Sequence, residues 1–446
     1  MRNIKWIFCV FLLGVSGLWV AEHPDFWAQD NIILVRNQVL QLTGLTAISL
    51  MSLIMILATR PKWLEPYLGG LDKTYRLHKW LGIAALVMAV THWLWVEGPK
   101  WLKGLGLLNV SRPPRPSQEG WDALQKFLMS QRHLAEDIGE WSFYIAAALM
   151  VVALVKLVPY RWFAKTHKFI ACAYLALVFH ALVLFNYDDW AGPGGVLLAL
   201  FLAAGAYSAV LVLAGRVGRK ATTTATLEKT EYFPAIKSLE ITLKVGQNWH
   251  GHRAGQFAFI TFDEQEGAHP FTIASPWDEG DRRLKVLVKA LGDYTRTLPS
   301  HLTSGTRARI EGPYGAFTFD ATGTRQVWVS GGIGITPFLA RLKELAHLPE
   351  GQRQNIDLYH SIPVEDEKLS ARLKLLAQQA GVRLHIIIDG RDDLLTGERL
   401  RRDVADWKTA SFWFCGPRNF GAALYRDLTG HGLPSAHFHQ ELFEFR

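Results

Sequence analysis

The chain has 446 residues, 49% of them hydrophobic and 20% charged, which excludes a disordered or fibrous protein. Its formal net charge of +8 does not point to nucleic acid, because the basic residues flank long apolar runs, as juxtamembrane charges do. The three cysteines, Cys9, Cys172 and Cys415, lie far apart without metal-type spacing, so neither a zinc site nor a disulfide framework is expected.

In chain order, six stretches are long enough to cross a hydrocarbon core, which takes about 20 residues. They are 4–20, 35–59, 75–96, 139–158, 169–185 and 194–214. The first resembles a signal peptide, but Trp19 stands where cleavage before Glu22 wants a small residue, so it is read as a membrane helix. Lysine and arginine gather at Arg2 and Lys5, at 60–79, at 156–168 and at 216–220, which puts both termini in the cytoplasm; the compartment expected from the chain's compactness and from the resemblance given below is a bacterial inner membrane. One loop disagrees. The external segment 97–137 carries Lys100, Lys103, Arg112, Arg115, Lys126 and Arg132. Ser117 as a cap, followed by Trp121, Leu124 and Leu128 at helical spacing, suggests a helix lying in the outer interface with its cations on lipid headgroups.

The third and fifth spans each hold two histidines. His78 and His92 are fourteen residues apart, and His167 and His180 thirteen apart, on helices expected to run the same way. At about 1.5 Å rise per residue the pairs are separated by about 21 and 19.5 Å, so His78 levels with His167 and His92 with His180. Neutral imidazole is a good iron ligand, and two facing imidazoles supply the axial positions of a six-coordinate haem. A single membrane histidine is readily a satisfied polar group; four in matched pairs argue for ligation, since ionisable groups in spans are costly. One mismatch remains: fourteen steps of about 100° return to within about 40° of the same face, whereas thirteen miss it by about 140°. The fifth helix therefore needs a local irregularity or differently angled side chains.

These pairs on the third and fifth of six helices resemble the ferric reductase and NADPH oxidase superfamily of transmembrane flavocytochromes b. The resemblance implies that the four histidines ligate two stacked b-type haems, and the same one-residue asymmetry occurs there. Arg36, at the outer start of the second span, and Arg76, near the inner pair, are candidates to neutralise haem propionates, or ordinary positive flanks. Tyr174, midway between the rungs, is either a bridge for electrons or packed aromatic bulk.

After a Thr-rich connector at 222–226, short alternating strands separated by Gly, Pro and Asp turns indicate an antiparallel barrel to about residue 321. From Arg325 strands alternate with helices, the first beginning at Phe338, which argues for a parallel doubly wound sheet. The expected architecture is thus a six-helix transmembrane bundle over 1–216, a flavin-binding antiparallel β-barrel over 217–321, and an α/β doubly wound nucleotide-binding domain over 322–446. His269, Pro270, Phe271 and Thr272 resemble the family's flavin-binding segment. Lys289, Gly292 and Thr295 match its second flavin segment, whose helix could offer amides to the FAD pyrophosphate. The turn of Gly331, Gly332, Gly334, Thr336 and Pro337 follows a predicted strand and opens a helix, a cradle for a dinucleotide pyrophosphate. Its closing proline is the form found in ferredoxin-reductase-like dehydrogenases, which this half resembles. Cys415, Gly416 and Pro417 resemble their nicotinamide-side turn, and Phe443 or, preferably, Phe445 the aromatic stacking on flavin, although Arg446 follows it. Ile362 and Pro363 stand where NADPH enzymes often place an arginine, so the sequence leaves NADH and NADPH open.

The resemblance implies an NAD(P)H-dependent transmembrane oxidoreductase. Electrons are expected to pass from cytoplasmic NAD(P)H through FAD, then the His78/His167 haem and the His92/His180 haem, to an outer acceptor. Oxidases of the superfamily tend to carry a second histidine one turn beyond the outer ligand, where this chain has Val96. A ferric or other metal chelate is therefore the expected acceptor, with superoxide formation from oxygen and donation to a periplasmic partner protein docking on 97–137 as alternatives.

Overall fold

The computed structural model describes residues 2–28, 31–107, 120–155, 158, 160–320, 325–349 and 354–441. The chain divides into two compact units, one of Met1–Leu68 and Lys73–Val217, the other of Gly69–Asp72 and Gly218–Phe445.

The first unit is helical: α1 (Arg2–Glu22), α2 (Ile32–Ala58), the short α3 (Glu65–Leu68), α4 (Leu71–Gly104), α5 (Ala123–Ser130), α6 (Arg132–Leu154), α7 (Tyr160–Lys168), α8 (Ile170–Leu184) and α9 (Pro193–Leu213). Six spans among them, with α7 and α8 acting as one, are long and apolar enough to cross a membrane. This is an integral membrane architecture. Leu50, Leu77, Leu81 and Tyr174 pack a dry interior, while Leu13, Trp141, Leu200 and Tyr207 stay exposed on outward faces, where a bilayer can cover them.

Several sequence expectations need correction here. The third span continues to Gly104 through Pro99, and the next span starts at Arg132, so spanning helices occupy both ends of the supposed loop 97–137. Proline has no N–H to give the Trp95 carbonyl four residues back. Arg36 Nε donates to that carbonyl instead, at 3.0 Å. The helix expected after Ser117 is α5, whose cap is Asp122, bonded reciprocally with Gln125; Ser117 lies outside the described residues.

In the second unit six strands, β1 (Thr222–Phe233), β2 (Ser238–Val245), β3 (Phe257–Thr261), β4 (His269–Thr272), β5 (Arg283–Lys289) and β6 (Arg307–Tyr314), form an antiparallel sheet of order β4-β3-β6-β1-β2-β5. A bridge from Ile273, just past β4, to Val286 of β5 joins the two edges into a barrel. The threonines at 222–226 are no connector. They pair with 307–311 of β6, as β-branched residues on a pleated surface favour. Helix α10 (Asp293–His301) lies between β5 and β6.

The remaining strands, β7 (Arg325–Gly331), β8 (Asn355–Ile362), β9 (Arg383–Ile388), β10 (Ser411–Cys415) and β11 (Phe438–Gln440), make a parallel sheet of order β11-β10-β7-β8-β9. Helices α11 (Thr336–Ala346), α12 (Glu367–Ala380), α13 (Gly397–Asp403) and α14 (Arg418–Gly430) alternate with them. Helix α11 begins at Thr336 with Pro337 in its first turn, earlier than expected, because proline is tolerated where no intrahelical amide bond is made. The chain leaves β7 in one direction toward β8 and returns on its other side as β10. That reversal opens a crevice beyond the carboxyl ends of β7 and β10, where ligands of open α/β sheets bind.

Candidate functional site

In the membrane unit, His78 and His92 stand on α4, His167 on α7 and His180 on α8. The rings of His78 and His167 lie 6.0 Å apart between centroids, and those of His92 and His180 6.5 Å. Both levels meet, so α4 runs parallel to α7 and α8. The thirteen-residue spacing is reconciled partly at Phe169, which separates α7 from α8. Phe169 N donates to Thr166 O and Cys172 N to Phe169 O, both three residues back, a tightening that adds about 20° of rotation per residue.

Each outer ring is held through Nδ1. His180 Nδ1 donates to the Ala135 carbonyl at 2.7 Å. Thr43 Oγ1 donates to Val39 O at 2.6 Å and accepts from His92 Nδ1 at 3.1 Å. Fixing Nδ1 leaves Nε2 for a ligand bond, the usual condition of a metal-bound histidine. His78 bonds the backbone of Ile54. The buried Nδ1 of His167 has no hydrogen-bond partner among the described residues.

Two glycines make room for the outer rings. A Cβ on Gly139 of α6 would lie 2.0 Å from His180 Nδ1, and one on Gly44 of α2 would lie 3.1 Å from His92 Cε1. Gly205 of α9 does the same for the fully buried Tyr174, whose hydroxyl bonds Ser52 Oγ at 2.8 Å. Thr43, Gly44, Ala135, Gly139 and Gly205 carry no spacing signal, since each acts on a residue of another helix.

These pairs suit a haem by their own chemistry. With metal–imidazole bonds of about 2 Å, two opposed rings sit roughly 6 Å apart between centroids. Among the described residues no group of three or more His, Cys, Asp or Glu could hold an ion. Two imidazoles therefore leave the other positions to donors such as a porphyrin supplies. Arg36 also reaches Val96 O at 3.5 Å, in the same turn of α4 as Trp95 and one turn beyond His92. Arg76 lies on α4, two residues before His78.

In the second unit, β4 carries His269, Pro270, Phe271 and Thr272. His269 stacks on Tyr294, with centroids 4.6 Å apart and planes 22° off parallel, so the two flavin-like segments meet. Burial pushes the His269 imidazole below its usual range, keeping it neutral at pH 7. Thr295 Oγ1 accepts from the amides of Leu291 and Gly292, both at 3.0 Å, shaping the start of α10. Two buried polar atoms, Thr272 Oγ1 and Tyr294 Oη, have no partner among the described residues. Buried groups of this kind want a hydrogen bond, and a flavin could supply it. Lys289 ends β5, its ammonium 4.0 Å from where a Gly332 Cβ would be, so it lies at the glycine turn.

The glycine turn and the turn after β10 touch backbone to backbone. A Cβ on Gly334 would lie 2.1 Å from the Cys415 carbonyl, one on Gly331 2.6 Å from Pro417, and one on Gly416 2.9 Å from Gly331 N. Gly332 has φ +54, a conformation favouring glycine. Thr336 Oγ1 caps Ile333 O at 2.7 Å. Cys415 is fully buried, and burial, then Glu441, pushes its thiol well up, so it is protonated at neutral pH. Phe443, Phe445 and Arg446 lie outside the described residues.

Comparison with known proteins falls on both units. Residues 43–178 match the family described as ferric reductase like transmembrane component, and residues 225–318 an FAD-binding domain family. The chain is 40% identical over 81 residues to ferric reduction oxidase 4 of Arabidopsis thaliana, covering 17% of this chain and 12% of that protein. It is 24% identical over 163 residues to a flavohemoprotein of Oceanobacillus iheyensis, covering 34% of this chain and 40% of that protein. The chain thus spans well under two thirds of either relative. The flavohem-like FAD/NAD binding domain of nitric oxide dioxygenase from Vibrio cholerae O1 biovar El Tor superposes with a TM-score of 0.42 at 17% identity, over 50% of this chain and 98% of that one.

Proposed function

From a chain that joins a ferric reductase like transmembrane component to an FAD-binding domain, we infer an NAD(P)H-dependent oxidoreductase that moves electrons across a membrane to an acceptor on the outer face. The observation that carries this reading is the pair of histidine contacts, 6.0 and 6.5 Å between rings, one at each level of the bundle. Bound FAD would turn a hydride's electron pair into single electrons, and a haem at each pair would relay them between the two faces.

The chain's own residues would do the placing. His78 with His167, and His92 with His180, would ligate; Thr43 and Ala135 orient the outer rings. Thr272 and Tyr294 would bond the flavin, Gly331, Gly332 and Gly334 would admit the dinucleotide backbone, and the neutral Cys415 thiol would lie beside the nicotinamide without adding charge. A ferric or other metal chelate is the proposed acceptor: Val96 stands where oxidases carry a further histidine, and a relative is named a ferric reduction oxidase.

A reduced-minus-oxidised spectrum of purified protein should give b-type bands, and a pyridine haemochrome assay two haems per flavin. Zero haem in folded, flavin-loaded protein refutes the relay. If ferric chelate leaves NAD(P)H consumption unchanged while superoxide accumulates in proportion, the acceptor is oxygen.

A further inference from the structure

The sequence offers no arginine after β8 to mark a coenzyme phosphate. Folding brings two lysines to that place from the barrel. A cavity of about 180 Å³ runs from the glycine turn at Gly332, past His360 and Pro363 at the end of β8, to the β1–β2 turn, and Lys237 and Lys289 line its barrel side. Among the described residues neither ammonium has an ion pair, so both charges are available to an anion in the cavity.

The two lysines are neighbours by construction. Ser238 pairs with Lys289 across β2 and β5, and Ala290 N donates to the Lys237 carbonyl at 3.0 Å. Lys237, in the turn before β2, and Lys289, at the end of β5, thus bring two ammonium groups to the same side of one cavity. Lys237 also adopts φ +49, a left-handed conformation uncommon for a side-chain-bearing residue. Among the described residues lining the cavity Asp366 is the one acid. Its Oδ1 already accepts the Leu369 amide at 3.0 Å as the cap of α12, whose N-terminal end carries partial positive charge. Two ammonium groups and a helix start thus face one committed carboxylate.

We propose that Lys237 and Lys289 bind the 2′-phosphate of NADPH in this cavity and make the chain prefer NADPH to NADH. The proposal rests on reading the glycine turn as the pyridine-dinucleotide site. It makes Lys237, on a barrel turn remote in sequence from that motif, a specificity-determining residue. The rival is Asp366 accepting from a free ribose 2′-hydroxyl, which would favour NADH.

The test is titration of the full chain in detergent with 2′-phospho-AMP and with AMP, beside steady-state KM values for both coenzymes. The phosphorylated nucleotide should bind at least about tenfold tighter, with an advantage that shrinks as salt rises. Lys237→Glu should raise the ratio of the NADPH to the NADH KM by about tenfold or more, with kcat for NADPH nearly kept, and Lys237→Gln by less. Flavin content reports folding of each variant, and the wild-type titration needs no variant at all. Equal binding of the two nucleotides, or a preference that survives Lys237→Glu, overturns the proposal while leaving the dinucleotide site standing. If neither nucleotide binds and neither coenzyme reduces the flavin, the site reading fails and the proposal falls with it.

Discussion

Of the two glycines beside the outer histidine pair, Gly139 has the less room. Its missing side chain lets the His180 ring reach the Ala135 carbonyl, and a methyl group there would meet ring atoms at 2.0 to 2.8 Å. Gly139→Ala should therefore cost about one haem per chain by pyridine haemochrome, with reduction of the flavin by NAD(P)H intact; two haems retained would show that His180 has another position available. Thr43 acts more gently. With a haem bound at this pair, accepting from His92 Nδ1 would raise the basicity of that ligand and favour the ferric state. Thr43→Val should raise the outer midpoint potential in a redox titration by roughly 40 mV, the equivalent of about 1 kcal/mol for one electron. In the second unit, Gly334→Val should leave the haem spectrum unchanged and abolish flavin reduction, because a Cβ cannot share space with the Cys415 carbonyl.

Among elements, the parallel sheet has one conspicuous charge cluster, away from the crevice. Asp357 of β8 is nearly buried between Arg325 of β7 and Arg383 of β9, with contacts of 2.6 and 2.7 Å. Burial alone would raise its carboxyl, but hydrogen bonds from Arg383 and Arg325, with the His385 ring 3.6 Å away, outweigh that and hold it well below the usual range. A carboxyl depressed in the fold stabilises fully above its unfolded value, about 3.9, and loses that contribution as pH falls toward the folded value. Asp357→Asn should destabilise the second unit by about 3 kcal/mol at pH 7, leaving two arginines facing a neutral group. Urea unfolding followed by flavin release, repeated near pH 3, should show the deficit shrinking; a deficit independent of pH would place the effect in packing.

At the scale of the whole molecule the chain forms two compact units, and on the proposed function each should keep its own cofactor chemistry when separated. A fragment beginning at residue 218 should bind FAD and be reduced by NAD(P)H while carrying no haem, as absorbance spectra would report. Failure of the fragment to take up flavin would mean that residues 218–446 do not hold the cofactor by themselves.

What the sequence determined by itself were the features with a one-dimensional signature. Apolar runs announce spans because lipid solvates nothing polar, and the spacings of His78, His92, His167 and His180 survive as axial distances because a helix rises evenly. The glycine turn after β7 is legible for the same reason, since strand, turn and helix are contiguous. Boundaries were less legible: Pro99 reads as a stop until Arg36, from another helix, takes over the carbonyl it strands, and threonines at 222–226 read as linker until β6 pairs with them. Only tertiary structure decided which groups face one another across elements. The hydroxyl of Thr43 beneath His92, the gap at Gly139 for His180, and the placing of Lys237 and Lys289 on one cavity with the end of β8 join residues far apart in the chain. Local pattern holds no record of such contacts, because they are fixed by how helices and strands pack.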